Sequence, residues 1–183
     1  MPHKPRGRNK FTMNPIVLRP LEPERVRQAF PLVQTVLPRT SLQRWTEFAR
    51  GQMPERRIAS DRGVMAAENQ SGYIVGLFTH HIRDELAVGS TLSVGNLLIA
   101  DFPGREQATG YFIDSMEVMA HLRGCHAIAV DLDIAFADGG ASCVWALPVF
   151  ERCGFAALST SQCRKLLPTR RYGLVASDAL SQR

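Results

Sequence analysis

The stretch LLIADFPGREQATGYFIDSMEVMAHLRG, Leu97 to Gly124, decides the fold. Its first residues close a run from Leu92 to Ala100 that is apolar enough to lie in the middle of a sheet. Asp101-Phe102-Pro103-Gly104 ends that run, because proline offers no N–H to a ladder. Arg105-Glu106-Gln107-Ala108-Thr109-Gly110 reads as a loop. From it runs the clearest helix of the chain, with Tyr111, Phe112, Met116, Met119, Ala120 and Leu122 at helical spacing and Gly124 as its C-terminal cap. A helix N-terminus leaves N–H groups unpaired and carries partial positive charge, so small residues there let a pyrophosphate come close. By itself the pattern is weak, since loops with small residues before helices are common.

Upstream, Ile16-Val17-Leu18-Arg19-Pro20 is a β-favouring run stopped by proline. After Pro23, the residues Val26, Ala29, Phe30, Val33, Val36 and Leu37 recur at helical spacing, with Pro31 set to kink or divide the segment. Thr40 and Gln43 form a capping box for a second helix whose face is Leu42, Trp45, Phe48 and Ala49. Val64 to Glu68 and Tyr73 to Thr79 make a hairpin across the turn Asn69-Gln70-Ser71-Gly72.

Downstream, His126 to Asp133 alternates as a strand, with Ile128, Val130 and Leu132 on one face and Ala129, Asp131 and Asp133 on the other. Ala137 to Ala141 is a loop, Cys143 to Cys153 a short helix closed by Gly154, and Phe155 to Leu167 one or two closing strands. The order is β-α-α-β-β-β-α-β-α-β, a mixed α/β domain with a hairpin-built antiparallel part and a later strand-helix-strand crossover.

The 183 residues, 45% apolar and 21% charged, suffice for one ample core and show no internal boundary. Residues 15–167 read as that domain, 1–14 as a basic disordered leader and 168–183 as a polar tail. No run approaches the roughly 20 apolar residues of a membrane helix, and the basic start has no apolar stretch of a secretory signal, so no membrane partner and a cytoplasmic address are expected. Of the net charge of +5, Lys4, Arg6, Arg8 and Lys10 supply most. The leader is either unstructured or lies upstream of a start at Met13. The rest is close to neutral, so a basic face for nucleic acid is not expected. Cys125, Cys143, Cys153 and Cys163 show neither a C-x-x-C pair nor histidines at zinc spacing, and read as reduced thiols without a metal.

The element order, the R-x-x-A-x-G run at 105–110 and Phe150-Glu151-Arg152-Cys153-Gly154-Phe155 together resemble the GNAT superfamily of acyl-CoA-dependent N-acyltransferases, from Ile16 to Leu167. The resemblance implies a mixed, mostly antiparallel central sheet flanked by helices. It implies acetyl-CoA as acyl donor, with pyrophosphate at Arg105, Glu106, Gln107, Ala108, Thr109, Gly110 and Tyr111, and pantetheine along Leu98, Ile99 and Ala100. Ala108 stands where the family has its first glycine, Cys143 where asparagine is usual, and Phe150 where many members keep a tyrosine that protonates the leaving thiolate. Phenylalanine has no proton to give. Pro148 is a further departure, inside the short helix.

The implied reaction is attack of a primary amine on the thioester in a ternary complex, with a small molecule or peptide as acceptor. Asp131 aligns with an acidic strand residue that serves as base in one branch of the family. Its competing reading is a solvated strand end or a partner for nearby arginines. Glu68, His80 and Asn96 sit on strands that border the acceptor cleft in the family. His80 and His81 are adjacent on a strand and so face opposite sides. The other reading of the whole chain is a non-catalytic acyl-CoA-binding or interaction protein, which Phe150 and Ala108 favour. A homodimer is compatible with the resemblance.

Overall fold

The computed structural model describes residues 16–53, 61–101, 103–133 and 143–168. The basic leader, nearly all of the polar tail, Phe102 and the Ala137 to Ala141 loop lie outside the described residues. Seven strands form one sheet: β1 (Val17–Pro20), β2 (Arg62–Glu68), β3 (Ile74–Glu85), β4 (Gly89–Ile99), β5 (Ala127–Asp131), β6 (Ala156–Ala157) and β7 (Gln162–Leu166), in the spatial order β1-β2-β3-β4-β5-β7-β6. Every neighbouring pair is antiparallel except β4 with β5. That pair is parallel because the helix α3 (Arg105–Leu122) carries the chain back across the sheet between them. The expected mixed, mostly antiparallel sheet is what forms.

Local chemistry explains the hairpins. Asn69 Oδ1 accepts from the backbone N–H of Ser71 and of Tyr73, both at 3.0 Å, and Gly72 takes the left-handed backbone, φ 78°, that closes the turn. β3 runs on to Glu85 rather than stopping near Thr79. The extension His81-Ile82-Arg83-Asp84-Glu85 is polar on the side left uncovered, which hides its strand character from a reading based on apolar runs.

Two helical layers sandwich much of the sheet. On one face a 3-10 turn (Pro23–Ala29) leads into α1 (Phe30–Val36), with Pro31 in its first turn, so the proline divides the segment instead of kinking a single helix. α2 (Leu42–Gln52) begins at Ser41, not Thr40: the Ser41 hydroxyl accepts from the Arg44 N–H at 3.1 Å, which is the reach a cap needs to the third helical residue. Trp45, buried, donates its indole N–H to the Val26 carbonyl at 2.7 Å and so ties α2 to the turn before α1. Val26, Ala29, Leu32, Val33, Trp45 and Ala49 pack with Val64, Ala66, Leu77 and Leu98 in this layer.

α3 covers the other face. Phe112, Met116 and Ala120, four apart, with Ile113 beside them, lie against Phe78, Leu92, Val94, Ile128 and Val130. Phe112 comes so close to β3 that only glycine fits at position 76: a Cβ there would overlap its ring. A 3-10 turn (Val144–Ala146) and α4 (Leu147–Arg152) complete the layer, with Pro148 in the first turn of α4, where its missing N–H costs nothing. No helix of the described residues is long and apolar enough to cross a membrane.

Candidate active site

β4 and β5 pair from Thr91 opposite Ala127 to Val94 opposite Val130, and no further. β4 continues to Ile99 and stays bonded to β3, with Leu98 opposite Leu77 and Ile99 opposite Gly76. Between Leu77 and Thr79 the register slips, and at the slip Asn96 has φ 49°, the one positive φ outside glycine among the described residues. Asparagine tolerates this left-handed backbone better than most residues. Its side-chain N–H donates to Thr79 Oγ1 at 3.0 Å, and the Thr79 hydroxyl donates to the Gly95 carbonyl at 3.0 Å, which pins the bulge from the neighbouring strand. A bulge bends its strand. β4 therefore turns away from β5, and a wedge opens whose one wall is the backbone from Leu97 to Ile99.

Arg105 to Gly110 is not a loop. Helix α3 starts at Arg105, and the turn is made one residue earlier by Gly104, whose φ is 95°. Alanine at position 108 favours helix over a flexible loop, and it is fully buried with helical backbone, so the residue that replaces glycine sits without strain. The first turn has no side-chain cap, which leaves its N–H groups for solvent or a ligand. Ala108 and Thr109 point into the core, whereas Glu106, Gln107 and Tyr111 are exposed and Gly110 has open space beside it.

Arg105 lies between this helix start and the wedge. Its guanidinium bonds Asp101 at 2.7 Å and stacks 4.2 Å from the centre of the Trp145 ring. Glu106 bonds Arg152 of α4 at 3.1 Å, a second tie between the two helices. Cys143 donates its thiol to the Leu97 carbonyl at 3.0 Å, while its own backbone N–H bonds Leu132, so it bridges the two diverging strands. Burial pushes this thiol up to about 11, against the opposing pull of the Ile99 backbone and the Arg105 charge. It is a protonated packing group, not a nucleophile. The four cysteines are unpaired, and no cluster of three metal-binding side chains occurs among the described residues.

The residues assigned from sequence fall into two sets. Leu98 and Ile99 close β4, Ala100 follows them, Arg105 to Tyr111 form the first turns of α3, and Phe150 is fully buried, its ring edge-on to Phe155 at 5.1 Å. Asp131, half-buried at the end of β5, stands on the far side of the wedge mouth, and its Oδ1 accepts from the Asp133 N–H at 3.0 Å. Asn96 is the bulge residue itself. Glu68 is elsewhere: it pairs with Arg25 beside α1. His80 faces the α3 layer, fully buried beside Gly63, with its Nδ1 unpartnered. Burial, with the charge of Arg123 and then His81, brings its imidazole down to about 4.

Sequence reasoning missed Arg83, Ser93, Gln162 and Arg164. With Asp131 they line a cavity of about 160 Å³ on the face opposite α3. The alternation of β3 was the available signal, since positions 81 and 83 share one face.

No family model matches the sequence, and no curated protein does. Solved structures do. An aminoglycoside 6'-acetyltransferase type Ii is similar at TM-score 0.61 and 13% identity, over 83% of this chain and 98% of that one. An aminoglycoside N-acetyltransferase in complex with CoA is similar at TM-score 0.60 and 14% identity, over 93% and 99%. Glucosamine-6-phosphate N-acetyltransferase from Arabidopsis thaliana follows at TM-score 0.56 and 16% identity, over 79% and 94%. At such identities the likeness is one of fold, and it extends over nearly the whole length of each neighbour. Over that length the chain has the fold of these N-acetyltransferases, that of the GNAT superfamily.

Proposed function

We propose that this protein is an N-acyltransferase that moves an acetyl group from acetyl-CoA to a primary amine by direct attack in a ternary complex. The observation that carries the reading is the wedge. Parallel strands part just past Val94 and Val130, the bulge at Asn96 turns the backbone of Leu97 to Ile99 away from β5, with the Cys143 thiol bonded to the Leu97 carbonyl in the gap, and an uncapped helix with Arg105 in its first turn follows. A backbone edge suits the amides of pantetheine. Uncapped N–H groups with an arginine suit pyrophosphate. The neighbour crystallised with CoA supports the same assignment of the donor.

In the reaction the amine nitrogen attacks the thioester carbon, the new C–N bond forms and the C–S bond breaks. The ammonium proton passes to Asp131, directly or through one water, and coenzyme A leaves as a thiolate. Phe150 offers no proton, so the thiolate takes, relayed by water, the second proton that the nitrogen loses as the amide forms. Because burial keeps Cys143 a thiol, no acyl-enzyme on that residue is invoked.

The second reading is a protein that binds acyl-CoA without turnover, favoured by the buried phenyl ring at position 150. Titration calorimetry with acetyl-CoA tests both. Micromolar binding by the native chain, lost in Arg105→Glu with the melting temperature retained, is the expected result. Turnover of any amine by the native chain then decides for the enzyme, and tight binding without turnover for the second reading. No heat from acetyl-CoA, longer acyl-CoAs or free coenzyme A would sink both.

A further inference from the structure

On the face opposite α3, the side chains of paired residues line up across four strands: His81 of β3, Ser93 of β4, Ala129 of β5 and Arg164 of β7 share one row. Ser93 and Ala129 are short, so the row is a trough with a low floor. Its walls are basic. Arg83 rises from β3 and Arg164 from β7, and both turn to the single carboxylate of Glu85, at 3.0 and 2.9 Å. One carboxylate thus serves two guanidinium groups, and Arg164 Nε is buried with no hydrogen-bond partner. A buried donor left unpaired is costly, and a guanidinium is shaped to take a carboxylate or phosphate in a forked pair of bonds.

Asp131 stands at the mouth of the same cavity. It lies opposite Gln162, and Arg164 lies opposite Ala129, so Asp131 and Arg164 are diagonal neighbours on one face. Such diagonals are about 7–8 Å long. A ligand with an amine at one end and an acid group a few bonds away spans that distance. A polycation would meet two arginines instead.

We propose that this trough holds an anionic group of the acceptor, so that the substrate class is a small amine bearing a carboxylate or phosphate, with Arg83 and Arg164 on the anion and Asp131 on the ammonium. The inference rests on the transferase reading and adds the acceptor class to it. It also gives Asp131 a binding role that needs no acyl donor, so the two can be tested apart.

The probes are matched pairs: β-alanine with β-alaninamide, glutamate with its diamide, and phosphoethanolamine with ethanolamine. Binding is read by ligand-observed NMR without acetyl-CoA, and transfer by mass spectrometry of the acetylated product with it. The acid of at least one pair is expected to bind and react at least tenfold better than its partner without the anionic group. Arg164→Met and the more exposed Arg83→Met should each abolish that preference and leave acetyl-CoA affinity unchanged, with urea unfolding confirming the fold. The carboxylate and phosphate pairs show which anion is read. Equal binding within every pair, a preference for the amine that lacks the anion, or a preference that survives both variants would overturn the inference and leave the transferase reading standing. Selective binding of acids by a chain that binds no acetyl-CoA would keep the trough and remove the transferase.

Discussion

His80 makes the stability of the fold depend on pH in a way that can be measured directly. Its ring is buried under α3, its Nδ1 has no partner, and burial with the neighbouring Arg123 and His81 charges brings it from 6.5 to about 4. Between these values the unfolded chain binds a proton that the folded chain refuses, so stability rises with pH across the window. The contribution is fully present above about pH 6.5 and is lost as the pH falls towards 4. Its full size is on the order of 3 kcal/mol, a large part of what holds a domain together. The perturbation is His80→Leu, which removes the titration and keeps an apolar group of similar bulk. Urea unfolding at steps from pH 7.5 to pH 4 should show native stability falling more steeply than that of the variant, the difference accumulating below about pH 6.5. The exposed His81 is also lowered, by burial first and Arg83 second, and it is common to both proteins. A difference between native and variant that stays constant from pH 7.5 to 4, or an imidazole resonance of His80 that titrates near 6.5, would refute the reasoning.

Two further expectations follow from packing. Gly76→Ala should cost about 1–3 kcal/mol in urea unfolding, because the added methyl meets the buried Phe112 ring and the Leu98 carbonyl; an unchanged midpoint would show that α3 can retreat from β3. Phe150→Tyr should lose about 1–3 kcal/mol of stability and gain no turnover, since the hydroxyl enters a sealed contact with Phe155; a stable variant with faster acetyl transfer would mean that the hydroxyl reaches the wedge.

Much of the fold was legible because its signals are local. The Asn69 to Gly72 turn, the apolar run into Ile99 and the buried stripe of α3 each announce an element without help from distant residues. The start of α3 was misread for an equally local reason: the small polar run from Arg105 has loop composition, and only the tertiary burial of Ala108 and Thr109 marks it as helix. The helix start beside the wedge carried a readable motif, Arg105 to Gly110. The cavity on the face opposite α3 had no such signal, because Arg83, Ser93 and Arg164 come from three strands and meet only through register. His80 and Glu68 illustrate the converse. Each sits on a strand near the site in sequence terms, yet the strand face turns His80 towards α3, and Glu68 is held by Arg25.

The lone parallel joint also sets an order of assembly. β1 is joined to β2 through helices, but β2, β3 and β4 are linked by tight turns and can zip from neighbour to neighbour. β5 can dock on β4 only after the whole of α3 has been closed into a crossover, which brings Ala127 back to Thr91. Loop-closure entropy must be met before that contact rewards it, so the meander is the natural nucleus and β5, β7 and β6 arrive last. The chain thus divides in time along the seam where its strands part in space, and the two walls of the wedge become a single site only in the final step of folding.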